Sequence, residues 1–425
     1  MKILFLSNLY PPFNIGGYEL ICESVNRAMQ ARGHETLVLT SNHTIEGRTP
    51  AAESDIRRSL RIHGFFGHPW LGISKLADLE IHNNEELRRA VEDFEPDVIH
   101  VFNLGGISKS LTHTIERLEI PAVYFVSDHW LTQSLDGDVW LNWWNRSAGM
   151  NLSSVARWSC EILGKRAHLD ALAPTSPISE IQFRQVYFCS RFLQDKAVAW
   201  GRDVKHGEVI YNSVDTNRFD GNPAPVDAAC ERLLFVGRLT VDKGIMTVLK
   251  AMNLVKGRFT GSLTVCGRGE DAYEKKLRSF VEANDLPVTF VSATASGMPE
   301  IYRRHDALIF ASEWDEPFAL TPLEAMACGL PVITTTTGGS AEFFRHGKNA
   351  LTFVAGLEAD LAHQIIILHG MPKLREEIAA AGRHEVREKF PENRVMDLVE
   401  NYMCETVETW GFRAPADIER ELAYV

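Results

Sequence analysis

Residues 2–40 read KILFLSNLYPPFNIGGYELICESVNRAMQARGHETLVLT, and this stretch decides the fold class. Lys2–Ser7 is a short, nearly continuous apolar run of the kind buried in a parallel sheet. Pro11-Pro12 and Gly16-Gly17 interrupt it. From Tyr18 the spacing of Leu20, Ile21, Val25 and Met29 predicts a helix that stops at Gly33, and Thr36–Thr40 reads as a second strand. Strand, Gly-rich loop, helix, strand is a βαβ unit, and its loop sets backbone N–H groups at a helix N-terminus.

The same alternation continues outward. Asp97–Phe102, Ala122–Val126 and Gln185–Cys189 read as further buried strands. It then restarts with Arg232–Val236, a turn at Gly237-Arg238, a helix over Gly244–Leu254 and a strand at Ser262–Cys266 that runs into Gly267-Arg268-Gly269. Val288–Val291, Ala307–Ala311 and Pro331–Thr334 complete the second series. Two such series predict an α/β protein with two parallel sheets covered by helices. Residues 201–230 carry little apolar pattern, so a domain boundary is expected there, between 1–210 and 211–400.

The length of 425 residues agrees with two domains. A 45% hydrophobic and 24% charged composition excludes wholesale disorder. The net charge of −12 argues against a nucleic-acid binder that works by neutralising phosphates. Seven scattered cysteines without a C-x-x-C pair fit neither a disulfide scaffold nor a zinc ribbon, and suit a reducing compartment. No apolar run reaches the ~18–20 residues of a membrane span, and Ile3–Leu6 is too short for a signal peptide. The expectation is a soluble, cytoplasmic protein.

The chemistry concentrates in Ser312–Pro331, SEWDEPFALTPLEAMACGLP. Thr321-Pro322-Leu323-Glu324 has the form of a capping box with Pro at the first helical position, so a helix is expected from Thr321 to a stop at Gly329. Glu316 then lies in the loop after a strand and Glu324 in the first helical turn, both at the edge where open α/β sheets bind ligands. Read without context, a mere cap at Glu324 and a solvated loop acid at Glu316 weigh as much as ligand-binding roles for the two.

With these elements in order, the sequence resembles the retaining glycosyltransferases of the GT-B fold, in particular glycosyltransferase family 4. The likeness rests on Lys2–Gly17, Pro96–His100, Asn212–Asp215, Gly237-Arg238-Leu239 with Lys243-Gly244, Gly267-Arg268-Gly269, and the Glu316…Glu324 segment closed by Gly338-Gly339. It implies two Rossmann-like domains facing an interdomain cleft, with residues 401–425 crossing back to the first domain, and with a nucleotide diphosphate sugar, UDP-glucose by default, on the C-terminal domain and the acceptor on the N-terminal one. By the same resemblance Arg238 and Lys243 would clamp the pyrophosphate, where Arg offers a fork and Lys a point charge. Gly267 and Arg268 would join the nucleotide site, and Phe318 with the N–H groups of Ala319, Leu320 and Thr321 would line the phosphates at the helix N-terminus. Glu316 would bond the donor sugar, Glu324 the ribose, and Gly16 and Gly17 would close over phosphate or sugar.

The family presents His-Asp near the end of the strand at Ala122–Val126. Here Ser127 falls on the His position, Asp128 matches, and His129 lies two residues later. Asp128 and His129 are therefore candidate catalytic residues beside Glu316, Arg238 and Lys243. Asp136-Gly137-Asp138 has the Asp-x-Asp form of a metal site but lies in a Trp-rich loop, and it reads as coincidence. No zinc-type ligand spacing is visible, so no metal is expected. The expected activity is a retaining, metal-independent hexosyl transfer to a hydroxyl of a glycan, glycolipid or small molecule. An epimerase on the same architecture and a non-catalytic sugar-nucleotide binder are the alternatives. Trp130, Trp140, Trp143 and Trp144 crowd one stretch, which reads either as an acceptor cleft, with peripheral membrane contact open, or as a satellite core.

Overall fold

The computed structural model describes residues 1–50, 54–145, 157, 160–222 and 228–410. All ten expected strands form, most of them buried along their length, and they sort into two sheets. The first contains β1 (Lys2–Leu6), β2 (Glu35–Ser41), β3 (Ile56–Leu60), β4 (Val98–Val101), β5 (Ala122–Val126), β6 (Val186–Phe188) and β7 (Glu208–Val209). Among the described residues these seven strands pair in parallel in the order β3-β2-β1-β4-β5-β6-β7. The second contains β8 (Arg232–Val236), β9 (Ser262–Cys266), β10 (Val288–Val291), β11 (Ala307–Phe310), β12 (Val332–Thr334) and β13 (Leu351–Thr352), six parallel strands among the described residues in the order β10-β9-β8-β11-β12-β13.

Each sheet is the centre of a compact unit. One unit comprises residues 1–188, 194–210 and the segment from Met396, and the other residues 189–193 and 211–395. In the first, Ile3 to Leu6 are fully buried, flanked by Val38, Leu39, Ile99 and Val101. The helix Gly17–Ala31 covers this sheet with Cys22, Val25 and Met29 turned inward. The segment from Met396 belongs to the same unit: Tyr402 donates to the Val186 carbonyl at 3.0 Å, Glu400 meets Arg32 at 3.2 Å and His34 at 2.7 Å, and Met403 is fully buried. The core of the second unit is built from Leu233, Phe235, Leu263, Val265, Ala307 and Ile309 on the sheet, with Ile245, Val248 and Leu249 from the helix Ile245–Leu254.

The tryptophan stretch is core. Trp130, Trp140 and Trp144 are 2%, 0% and 4% exposed. Their polar edges are used internally, Trp130 Nε1 donating to the Phe125 carbonyl at 3.2 Å and Trp140 Nε1 to that of Pro174 at 2.8 Å. Trp143 and Trp140 meet Trp144 edge to face. Three of the four rings are buried and packed on one another, with Trp143 half-buried, so of the two readings the satellite core is the one that the packing favours.

Candidate functional site

In an open α/β sheet the strand order reverses at one point, and the loops leaving the strand ends on either side form a crevice. In the second unit that point lies between β8 and β11. The loop after β8 carries Arg238 and Lys243, and the loop after β11 carries Glu316.

Close backbone packing fixes these loops. Gly244 follows Lys243 at φ +68, and a Cβ there would come within 1.9 Å of the Ala311 carbonyl oxygen. Only glycine fits both the left-handed backbone and the approach. Gly339 N–H donates to the Glu316 carbonyl at 2.7 Å, and a Cβ on Gly339 would meet the Pro317 carbonyl oxygen at 2.1 Å. Gly267 and Gly269 are held as tightly, against the carbonyls of Gly237 and Leu239.

Within this frame Glu316 is 8% exposed, and its Oε1 accepts from Lys243 Nζ at 2.5 Å and from Ser312 Oγ at 2.6 Å. Arg238 stands exposed, and its guanidinium makes no hydrogen bond or ion pair with any described residue. Arg268 is also exposed, reaching Ser292 Oγ at 3.3 Å. One cation held on a buried carboxylate and a second standing exposed in the same loop can hold an anion and hydroxyl groups together.

The helix beside them starts at Leu320, not Thr321. It runs Leu320–Ala327 with Ala319 as N-cap and no side-chain cap, so the capping box is a correction. Thr321 and Glu324 already lie inside the helix, and Glu324 is turned away from the cap toward Tyr302, whose hydroxyl donates to Glu324 Oε2 at 2.7 Å. Burial pushes the Glu324 carboxyl up to about 7, against the pull of the Tyr302 bond and the Arg218 charge. The Phe318 side chain is 6% exposed and stacks on Tyr211 among Phe343 and Phe390, which leaves only its backbone to face a ligand. The N–H groups of the first helical turn lack intrahelical acceptors.

In the first unit the order reverses between β1 and β4. Gly16 and Gly17 are exposed at the start of the helix after β1, where Glu19 Oε2 accepts from Gly16 N–H at 2.8 Å. Asp128 and His129 follow β5. Asp128 accepts from Asn103 Nδ2 at 2.6 Å and from Trp130 N–H at 2.8 Å, and burial pushes its carboxyl up to about 6. His129 opens the 3₁₀ turn His129–Leu131 that Asp128 caps. Ser127 N–H donates to the Tyr18 hydroxyl oxygen at 3.3 Å.

Asp138 is 4% exposed and accepts from Ser108 Oγ, Lys109 N–H and Leu141 N–H. Asp136 pairs with Arg202 and Trp200. Both carboxylates of the Asp-x-Asp pattern thus serve the fold. Among the described residues no group of three or more His, Cys, Asp and Glu is placed to hold a metal ion. Sequence reasoning missed Tyr302 and Ser312, whose roles come from contacts across 22 and 4 positions of chain with no shared motif.

Comparison with known proteins gives family matches in both halves of the chain. Residues 15–218 match the family described as Glycosyltransferase Family 4, and residues 225–385 match Glycosyl transferases group 1. An uncharacterised 42.6 kDa protein of the cps region of Klebsiella pneumoniae is 24% identical over 81% of this chain and 88% of its own. The glycogen synthase of Mycobacterium tuberculosis is 22% identical over 92% and 91%. The crystal structure of Anabaena HepE in complex with UDP and glucose superposes with a TM-score of 0.67 at 19% identity, covering 95% of this chain and 100% of that one. The fold is GT-B, and both units carry glycosyltransferase family matches.

Proposed function

We propose that this GT-B glycosyltransferase moves a hexose, glucose by default, from a UDP-sugar to a hydroxyl of a glycan, glycolipid or small molecule, with retention of anomeric configuration and without a metal. The observation that carries the reading is the Lys243–Glu316 contact at 2.5 Å beside the unpartnered, exposed Arg238, at the strand-order reversal of the second sheet. A diphosphate draws Lys243 and Arg238 to its oxygens, and Glu316 turns its released lone pairs to the hydroxyls of the donor sugar. The N–H groups of Ala319, Leu320 and Thr321 add to the anion site. Glu324 accepts from the ribose hydroxyls, and Gly267 with Arg268 borders the nucleotide.

In the transfer the bond from the anomeric carbon to the diphosphate oxygen breaks, with its electron pair leaving on the diphosphate. The acceptor oxygen bonds the same face of that carbon and gives its proton to the departing phosphate. The enzyme contributes preorganised charge where charge develops. In this reading Asp128 and His129, with Gly16 and Gly17, are the first unit's contribution to substrate binding. The scattered cysteines fit a cytoplasmic setting, and no helix among the described residues is long and apolar enough to cross a membrane.

The test is calorimetry against UDP, GDP and NAD followed by product detection with labelled UDP-glucose, the anomeric configuration read by NMR. UDP is expected to bind and an α-linked product to form, unchanged in excess EDTA. A strict requirement for Mg²⁺ or Mn²⁺, or an inverted product, overturns the mechanism.

A further inference from the structure

The loop Arg61–Gly72, which follows β3 at the same sheet edge as Asp128, is absent from the roles above. Its sequence is Arg-Ile-His-Gly-Phe-Phe-Gly-His-Pro-Trp-Leu-Gly. Trp70 is 62% exposed and Phe65 44% exposed, which is uncommon for rings of this size unless they bind something. The loop is nonetheless built. Gly64 lies at φ +69, and a Cβ on it would come within 2.4–2.5 Å of three carbons of the Trp70 ring, so one face of the indole rests on the Gly64 backbone. Phe65 and His63 meet Trp70 edge to face, at 5.7 and 5.6 Å between centroids. Phe66 itself is held at φ +53, a left-handed conformation that a bulky side chain adopts only when its surroundings impose it.

That constraint sets the Phe66 ring near Gly105, where a Cβ would lie 3.9 Å from Phe66 Cζ. Gly105 N–H donates to Asn103 Oδ1 at 2.7 Å, and Asn103 Nδ2 donates to Asp128 at 2.6 Å. On the other side His43 Nδ1 and His68 Nε2 share a hydrogen bond at 3.0 Å, and His43 Nε2 and His68 Nδ1 make none with any described residue. The result is a band of exposed rings bordered by a carboxyl and an amide at one end and two imidazoles at the other.

We propose that this band is the acceptor-binding platform, and that its occupant is a pyranose ring of a glycan acceptor. The inference rests on the transferase reading for the word acceptor, and on the loop alone for the sugar. A pyranose has a C–H-rich face that lies on an aromatic ring and a rim of hydroxyls that reach carboxyl, amide and imidazole groups, which is the division of surfaces found here. Charge weighs against a lipid surface: a single cation stands at each end of the segment, Arg61 and Lys75, and none between them, whereas segments that dock on anionic bilayers surround their apolar side chains with clusters of Lys and Arg.

Saturation-transfer NMR on the full chain, with methyl glucoside, methyl galactoside, methyl mannoside and maltose as probes, tests the platform directly. Saturation of ring protons of at least one probe is expected. Trp70→Ala and Phe65→Ala should each weaken it roughly two- to tenfold, the weight of one aromatic contact, and Trp70→Phe should restore part of it. Near-ultraviolet circular dichroism and the urea midpoint confirm that the variants fold, as expected for side chains this exposed. Absent saturation, or saturation indifferent to both alanine variants, overturns the proposal, and so does Trp70-dependent binding to phosphatidylglycerol vesicles without binding of sugars. UDP calorimetry reads the transferase assignment separately: sugars that bind a chain indifferent to UDP leave the platform standing and remove the transferase, and the converse result does the opposite.

Discussion

Arg238 and Lys243 carry the same charge but differ in what their loss leaves behind. Arg238→Ala removes an exposed guanidinium that holds nothing in the protein, so the urea midpoint should stay unchanged while turnover falls on the order of 10²–10³, the usual cost of one contact to developing charge. Lys243→Ala should lose as much turnover and also stability. It strips Glu316 of a cation partner inside a nearly closed site, at roughly 2–3 kcal/mol, below the 3–5 for a fully buried pair. Equal stability of the two variants would show that the Lys243–Glu316 contact is not maintained in solution. Glu324 gives a third outcome. Its carboxyl, raised to about 7, keeps its proton in the folded chain and loses it in the unfolded one between about pH 4.5 and 7, so it weakens folding as pH rises through that window. Ribose hydroxyls that donate to Glu324 favour the carboxylate, so affinity for UDP-glucose, which has no titrating phosphate near pH 7, should rise on the order of tenfold from pH 6 to pH 8. Glu324→Gln should flatten that profile, and a flat wild-type profile in calorimetry would remove Glu324 from the ribose.

At the scale of elements, Gly244 joins the turn that carries Lys243 to the helix Ile245–Leu254. Gly244→Ala meets two penalties, a left-handed backbone worth about 1–2 kcal/mol and an overpacked contact with the Ala311 carbonyl worth about 1–3. Its unfolding free energy, read from urea denaturation, should therefore fall by the sum, roughly 2–5 kcal/mol, with turnover reduced as well; a loss under about 1 kcal/mol would mean that the turn adapts. The glycine was readable in the sequence as part of Lys243-Gly244, although the carbonyl that enforces it lies on a distant strand. The same division runs through the fold. Ala122–Val126, Arg232–Val236, Ser262–Cys266 and Val288–Val291 were legible to the residue, because short runs rich in apolar and β-branched residues, bounded by Gly, Pro or polar residues, mark strands. Ile56–Leu60 was not, since Arg57 and Arg58 interrupt its apolar character at a sheet edge, and Glu208–Val209 and Leu351–Thr352 are too short to show a pattern. The site followed suit. Arg238 and Lys243 sit in a loop marked by Gly237 and Gly244, and Glu316, whose own loop has no glycine, was singled out by the resemblance of its segment, whereas the Tyr302–Glu324 bond joins two helices and has no local signature. The tryptophans misled because composition reports how much ring is present and says nothing of which side is wet.

Across the whole molecule, the first unit is assembled from both ends of the chain. Met396, Val399, Tyr402 and Met403 bury apolar surface against it, and Trp410 donates to the Glu119 carbonyl at 2.9 Å. Each such side chain is worth about 2–5 kcal/mol when removed from a core, against a total stability of only about 5–15. A chain stopped after Val395 should thus leave the amides of β1, β5 and β6 open to hydrogen exchange while those of β8, β9 and β11 stay protected. Protection of β6 equal to that in the full chain would show that the last helix is dispensable. This arrangement also imposes an order on the birth of the protein. The ribosome releases residues 1–210 early, yet the helix that finishes their sheet is translated only after the second unit, roughly 10–40 s later at ~5–20 residues per second. Throughout that interval the nascent first unit carries a bare apolar stripe, which makes it a natural client for chaperones and the step at which expression of this chain is most easily lost.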